Sequence, residues 1–362
     1  MTEQVGTPSV AESSIDDVLV RQAGRVGRIT LNRPKAINAL TLPMIEVITA
    51  TLEQWRHDPA IEVVVLDGAG DRGFCAGGDI RAVYDSALAG DGAAGALWRA
   101  EYRLDAAVRH YPKQVLSLLD GITMGGGVGI GCHRPLRVVT ERSRLAMPEV
   151  RIGFAPDVAA TLLFAQAPGR VGEHLALTGD SIGAADAIYC GLADHVVSSE
   201  RLSELVSRVE AEAVDVVLAD LEPVSEESAP EEPGLATDRI WIDECYSGGT
   251  VEEILQRLED QPNENAGKAA AQIRRVAPLA AEVTLRAMQQ TRRETPTIEQ
   301  VLARDYRVMT RFLDTHDLRD GIRTMVVDKH DSPTWSPSAL GDVTEHMLDR
   351  HFASLGEGEL QV

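Results

Sequence analysis

Gly73-Phe74-Cys75-Ala76-Gly77-Gly78-Asp79 and, about fifty residues later, Ile122-Thr123-Met124-Gly125-Gly126-Gly127-Val128-Gly129 are two glycine-rich turns, each following a short apolar run. Glycine lacks the Cβ that would hold a bound atom away from the main chain, so both turns can present bare backbone N–H groups. Two such donors meeting at one carbonyl oxygen would make an oxyanion site. Acid and base partners for it lie just downstream: Glu149 in Met147-Pro148-Glu149 and Asp157 in Phe154-Ala155-Pro156-Asp157. A single glycine turn serves close helix–sheet packing equally well. The pair favours a ligand, because strand ends in layered α/β folds expose loops to ligands. Gly125 to Gly131 also leads into a small-residue helix start whose dipole favours negative charge.

Outward from these turns the chain alternates strand and helix. Residues 17–22 and 25–31 alternate apolar and polar around Ala23-Gly24, the pattern of a hairpin that stops at Asn32-Arg33-Pro34. Leu42, Ile45, Ile48, Leu52 and Trp55 recur at helical spacing after Thr41, a suitable N-cap. Continuous apolar runs at 63–66, 115–119 and 136–140 read as buried strands. Helical segments at 80–88, 97–109, 158–166 and 171–178 separate or follow them. The alternation implies an α/β core over residues 15–200. Residues 201–362 read as almost wholly helical, over 202–218, 251–258, 264–276, 278–291 and 297–313, with Pro278 in a first turn. Residues 1–14 form an acidic tail expected to be disordered, and residues 222–234 an acidic solvated loop.

The 362 residues are 44% hydrophobic, the proportion of an ordinary globular protein, and carry a net charge of −21. No basic stripe appears, which argues against nucleic-acid binding and requires any anionic ligand to be held locally. Cys75, Cys132, Cys190 and Cys245 are widely separated and form neither a zinc knuckle nor a disulfide framework. With no apolar run approaching the ~20 residues of a spanning helix and no basic leader, a cytoplasmic protein is expected, off the membrane.

Competing motifs are weak. Neither G-x-G-x-x-G nor a P-loop is present. Gly179-Asp180-Ser181-Ile182-Gly183 fits the serine-nucleophile pattern G-x-S-x-G. Its context is wrong, since the preceding segment reads as a helix ended by Gly179, with Ser181 expected to cap the next helix. Should Ser181 act, Asp194-His195 are its nearest partners. His133 and His174 lack H-x-x-x-H spacing and are expected to make local hydrogen bonds rather than bind metal. Glu101, taken alone, reads as a solvated helix residue.

Taken together the chain resembles the crotonase (enoyl-CoA hydratase/isomerase) superfamily, most closely its 3-hydroxyisobutyryl-CoA hydrolase branch, from about Val18 to Leu355. The resemblance is carried by residues 31–40 (LNRPKAINAL), 74–81 (FCAGGDIR), 121–129 (GITMGGGVG), 146–149 (AMPE), 152–158 (IGFAPDV) and 175–179 (LALTG). Residues 320–323 (DGIR) and 327–335 (VDKHDSPTW) are similar to the hydrolase branch. It implies a spiral of ββα units in which the amides of Gly78 and Gly126 grip the thioester oxygen of an acyl-CoA.

It also implies roles for side chains. Hydratases of the two-glutamate type carry a second glutamate where this chain has Gly129, and similar hydratases have glycine where Asp157 stands. The hydrolase branch has Glu149, Asp157 and Glu101 at the matching places. Glu149 is then expected to act on water or directly on the thioester carbon, Asp157 to orient the substrate or assist proton transfer, and Glu101 to bind the 3-hydroxyacyl end. Arg33, Lys35, Arg81 and Lys329 are candidates to meet coenzyme A phosphates. Ala159-Ala160-Thr161 replaces a glycine-rich segment frequent in the branch, which would reshape the acyl pocket. The implied reaction is hydrolysis of 3-hydroxyisobutyryl-CoA, a step of valine breakdown, with no metal and no cofactor beyond the substrate's own coenzyme A. The alternatives are a hydratase or isomerase on the same fold, and a non-catalytic acyl-CoA-binding protein. A homo-oligomer is the expected assembly.

Overall fold

The computed structural model describes residues 16–221, 232–328 and 331–362. The tail expected at 1–14, most of the acidic loop 222–234 and Lys329 lie outside them. A hairpin of β1 (Val18–Ala23) and β2 (Val26–Leu31) opens the fold. Helix α1 (Leu42–Arg56) follows, and Thr41 caps it by accepting from the Met44 amide. Ile45, Ile48, Leu52 and Trp55 of the stripe seen in the sequence are buried, joined by Met44, while Leu42 is partly buried, and the Trp55 ring lies against Gly27, where a Cβ would collide with it.

Then come β3 (Val63–Gly68), β4 (Gly73–Cys75), α2 (Ile80–Ala89), α3 (Ala93–Arg109), β5 (Gln114–Leu119), β6 (Ile122–Met124) and α4 (Gly126–Cys132). The unit repeats with β7 (Arg137–Val139), β8 (Arg144–Ala146), α5 (Ala160–Gln166), α6 (Val171–Thr178), α7 (Ala184–Tyr189) and β9 (His195–Val196). The first strand of each pair joins one sheet and the second joins another. The described sheets run β1-β2-β3-β5-β7-β9 and β4-β6-β8. Only β1 against β2 is antiparallel; every other pair is parallel. Two stacked parallel sheets fed alternately by one chain are the expected ββα spiral.

Both faces of the larger sheet are covered, which is why its strands read as unbroken apolar runs. Val64 and Leu66 of β3 face the main core, while Val63 and Val65 face a second cluster. That second cluster is closed by α8 (Leu202–Val209) and α9 (Val214–Leu221), two helices where the periodicity predicted one over 202–218. The described C-terminal region continues with helices α10 (Gly234–Cys245), α11 (Val251–Asp260), α12 (Glu264–Ile273), α13 (Pro278–Glu294), α14 (Ile298–Phe312), α15 (His316–Ile322) and α16 (Glu345–Phe352), with an irregular stretch at 331–339. Pro278 is in the first turn of α13 as expected. Helix α14 packs on α3 and α5, and α13 on α5 and α6. None of the described helices is long and apolar enough to cross a membrane.

The G-x-S-x-G segment is no nucleophile elbow. Gly179 ends α6 in the left-handed region, φ +62°, and Ile182 then pairs with Leu145. The expected Ser181 cap is corrected: α7 starts two residues later, with Gly183 at its N-cap.

Candidate active site

The order β4-β6-β8 decides where the chemistry sits. Ala76-Gly77-Gly78 follows β4, Gly125-Gly126 follows β6, and Met147-Pro148-Glu149 follows β8. Because the three strands are parallel neighbours, these segments leave the carboxyl ends side by side. The first two touch at Gly77, φ +103°, where a Cβ would stand 3.2 Å from Met124 O and 3.4 Å from the Gly126 nitrogen.

Both expected donor amides are unengaged among the described residues. Leu40 N–H donates to Gly77 O at 2.8 Å and Asp79 N–H donates to Leu40 O at 2.9 Å. A parallel bridge made by the two flanking residues turns the amide of the middle one, Gly78, to the opposite side. Gly126 opens α4, so its N–H has no intrahelical acceptor.

The first turn is braced from the segment 31–40. Asn38 donates through Nδ2 to Gly73 O and to Ala69 O, each at 3.0 Å. Arg33 donates to Ala39 O at 2.6 Å and to Asp79 at 3.0 Å, and Asp79 caps α2 by accepting from the Ala82 amide. Arg33, expected at the coenzyme A phosphates, is thus held by intramolecular partners, with Asp17 a third at 3.8 Å. Lys35 and Arg81 are exposed and form no ion pair among the described residues. They sit on the two segments that the Arg33–Asp79 pair ties together.

Helix α3 supplies the acids the turns face. Its buried stripe runs Leu97, Trp98, Glu101, Tyr102, Leu104, Asp105, Val108, so Glu101 and Asp105 occupy core positions one turn apart. Glu101 is only 2% exposed, against the solvated position that its residue type alone predicts. Its Oε1 fills the place a Gly126 side chain would take, and its Oε2 is 3.9 Å from a Cβ built on Gly78. Glu149 Oε1 lies 3.0 Å from a Cβ built on Gly125. Asp157 accepts a hydrogen bond from the Tyr102 hydroxyl at 2.5 Å. The structure therefore gathers Gly78, Gly126, Glu101, Glu149 and Asp157 in one buried locus.

Burial raises the proton affinity of Glu101, Asp105, Glu149 and Asp157, and the Asp157 charge acts on the other three. Glu101 is pushed to about 8 by burial and then by the Asp157 charge. Asp157 rises to about 7, again mainly through burial, with the Tyr102 hydrogen bond pulling down and Asp305 pushing up. Glu149 is held well above its ordinary value by burial, Asp157 and Glu101. Asp105 is raised likewise, by burial, Glu101, Asp157 and Asp305. Protons leave such a set as a group rather than residue by residue. Glu101 Oε1, Glu149 Oε2 and both Asp105 oxygens are buried acceptors without a protein partner.

Sequence reasoning missed Tyr102, Asp105 and Asp305. For Asp105 a signal existed, since a carboxylate on the helix face that carries Leu97, Trp98, Leu104 and Val108 is out of place unless the site needs it. His133 and His174 make the local bonds expected, to Val158 O and to the Tyr246 hydroxyl.

Parallel ββα layers, paired glycine turns and buried acids at one strand-end locus define a class, and residues 26–352 match the family described as enoyl-CoA hydratase/isomerase. The chain belongs to that family. Among curated proteins it is similar to the mitochondrial 3-hydroxyisobutyryl-CoA hydrolases of Rattus norvegicus, 38% identical over 95% of this chain and 91% of that one, and of Homo sapiens, 37% identical over 96% and 91%. Among solved structures it is similar to a carnitinyl-CoA dehydratase from Mycobacterium thermoresistibile, 44% identical, TM-score 0.91, covering 96% of this chain and 98% of that one. An enoyl-CoA hydratase from Rhodobacter sphaeroides is 40% identical, TM-score 0.88, over 96% and 100%. The expected cytoplasmic location is corrected by the curated relatives, which are named mitochondrial. Reduced, unpaired cysteines separate reducing from oxidising surroundings and do not tell the cytosol from a reducing organelle.

Proposed function

We propose that this chain hydrolyses an acyl-CoA thioester, with 3-hydroxyisobutyryl-CoA as substrate, yielding 3-hydroxyisobutyrate and free coenzyme A in the breakdown of valine. One observation carries the choice of hydrolysis over hydration. A Cβ at Gly129, the position of the second glutamate in two-glutamate hydratases, would stand 2.8 Å from both Asp105 Oδ1 and Val158 Cβ. Packing fills the space that residue would need, while Asp157 joins Glu149 in the same locus.

In this reading the Gly78 and Gly126 amides take the negative charge that develops on the thioester oxygen, an effect worth about 10²–10³ in rate per donor. Glu149 in its ionised form delivers the oxygen, from water or from its own carboxylate, to the carbonyl carbon. The C–S bond then breaks and coenzyme A leaves as the thiol with a proton from the acid set; where the carboxylate attacks, water then hydrolyses the acyl–Glu149 anhydride, freeing the acid product and Glu149. Asp157 orients the acyl end and shares the protons of the set. The unpartnered Glu101 Oε1 supports a hydrogen bond to the substrate hydroxyl, and acyl groups without that hydroxyl would leave a buried acceptor unmatched. Lys35 and Arg81 offer local positive charge to the phosphates. No metal or separate cofactor enters the scheme, and a homo-oligomeric assembly, to be read from a light-scattering mass, is kept from the resemblance.

Thiol release from 3-hydroxyisobutyryl-CoA, abolished in Glu149→Gln and Asp157→Asn while coenzyme A binding persists, is the test. The second reading, enoyl-CoA hydration, is supported by the likeness to the two solved structures, a carnitinyl-CoA dehydratase and an enoyl-CoA hydratase. Loss of crotonyl-CoA absorbance without thiol release would establish it and remove the first. No turnover of either substrate, with coenzyme A binding the same in wild type and both variants, would leave only an acyl-CoA-binding protein.

A further inference from the structure

Asp157 is followed by two residues whose backbone no side chain favours: Val158 at φ +49° and Ala159 at φ +56°. The left-handed region is costly for any residue bearing a Cβ and most of all for a β-branched one, so such a turn persists only where its surroundings hold it. The glycine-poor sequence after Asp157 thus places a left-handed turn on residues that carry a Cβ.

Two buried side chains from distant parts of the chain hold the turn. His133, just past α4, meets Val158 O through Nε2 at 2.7 Å, and since a carbonyl only accepts, the imidazole donates. Asp305, on α14 and 3% exposed, accepts from the Ala159 amide at 2.9 Å. Arg304 fixes Asp305 in turn: it reaches Asp305 at 3.3 Å, Thr161 at 2.7 Å and Thr291 at 2.9 Å. The next residue, Tyr306, packs edge-on against Tyr102, the donor to Asp157, with ring centroids 6.4 Å apart. One turn of α14 therefore touches both supports of Asp157.

We propose that Asp305 is a positioning residue for Asp157: its carboxylate, anchored by Arg304, holds the left-handed Val158-Ala159 turn that carries Asp157 to Tyr102. This rests on the hydrolase reading, and on Asp157 belonging to its site. Asp157 is faced by Glu101, Tyr102 and Asp105 of α3, by Glu149 after β8, and by Asp305 with Arg304 of α14. Among these, Asp305 also pushes the Asp157 proton affinity up.

The test is steady-state hydrolysis of 3-hydroxyisobutyryl-CoA by the full chain. Asp305→Ala is expected to lower kcat on the order of 10–100-fold with little change in KM, the effect of misplacing a reacting group. Asp305→Asn keeps an oxygen for the Ala159 amide, so it retains most of kcat, while loss of the charge moves the acid limb of the kcat profile to lower pH. Glycine tolerates the turn without a clamp, so the Ala159→Gly/Asp305→Ala double variant recovers most of the loss. If Asp305→Ala does not fold, the other two variants decide. An unmoved acid limb in Asp305→Asn, or a double variant as poor as Asp305→Ala, overturns the inference. Asp157→Asn, run alongside, separates the levels: if it turns over normally the hydrolase site itself is misassigned, and if it is inactive while the Asp305 variants behave as wild type, only the role of Asp305 falls.

Discussion

The Tyr102 hydroxyl donates to Asp157 Oδ2 at 2.5 Å, and both side chains are shut away from solvent. This bond favours the charged form of Asp157 against burial and the neighbouring acids. Tyr102→Phe removes the donor, so the Asp157 proton affinity rises above about 7. The acid limb of kcat should move to higher pH, opposite to Asp305→Asn, with kcat at neutral pH down by roughly tenfold. A pH–rate series on the two variants checks the opposed directions.

Gly126→Ala should abolish most turnover for a steric reason. Its Cβ would enter the space of Glu101 Oε1, displacing the carboxylate or tilting the amide off the thioester oxygen. A fall in kcat of about 10²–10³ is expected, with unfolding temperature close to wild type because the first turn of α4 can yield locally. Stopped thiol-release assays and a melting curve measure both.

Gly129→Glu restores the residue type of two-glutamate hydratases and should not restore hydration. Asp105 and Val158 each stand 2.8 Å from where its Cβ would be, so a second acid forced against them lowers stability by several kcal/mol. The prediction is poor folding and no loss of crotonyl-CoA absorbance.

The acid set makes stability pH-dependent. A carboxyl whose folded proton affinity is raised contributes full stability only below its unfolded value, and that stability is lost as pH climbs through the folded value. For Glu101 the window runs from its ordinary 4.5 up to about 8, and Asp105 shifts in the same direction. Asp105→Asn should therefore raise the melting temperature more at about pH 8.5 than at about pH 5. A gain at low pH alone would contradict this sign.

Arg33→Ala and Lys35→Ala should separate kinetically. Arg33 holds Ala39 O and Asp79 beside Gly78, so its loss loosens the donor turn and lowers kcat. Lys35 is exposed and forms no ion pair among the described residues. Its loss should raise KM for the acyl-CoA a few-fold with kcat intact, and the difference should fade at high salt. Initial-rate kinetics at two ionic strengths distinguishes them.

Helix α1, the buried strands and the glycine turns were legible in the sequence because each is written locally, in Thr41 and the stripe from Ile45 to Trp55, in Val63–Leu66, and in glycines at strand ends. Strands as short as β6 and β8 were not, since three residues carry no period to detect. Nor was the break between α8 and α9, where a continuous apolar pattern hides a turn. Glu149 and Asp157 were legible as types beside the turns, and their meeting was not. Tyr102 and Asp305 were out of reach, since one is a core tyrosine by its position and the other an acid on a remote C-terminal helix.

The sequence by itself determined which backbone could approach a carbonyl oxygen and which acids were at hand, because a missing Cβ and a carboxylate are properties of single residues. Tertiary structure alone decided that Gly78, Gly126 and Glu149 share one edge, since that follows from β4, β6 and β8 lying parallel and adjacent. It decided also that the proton affinity of these acids is raised. Desolvation and mutual repulsion depend on what surrounds a charge, and the charged and polar groups facing Asp157 come from three separate stretches of the chain.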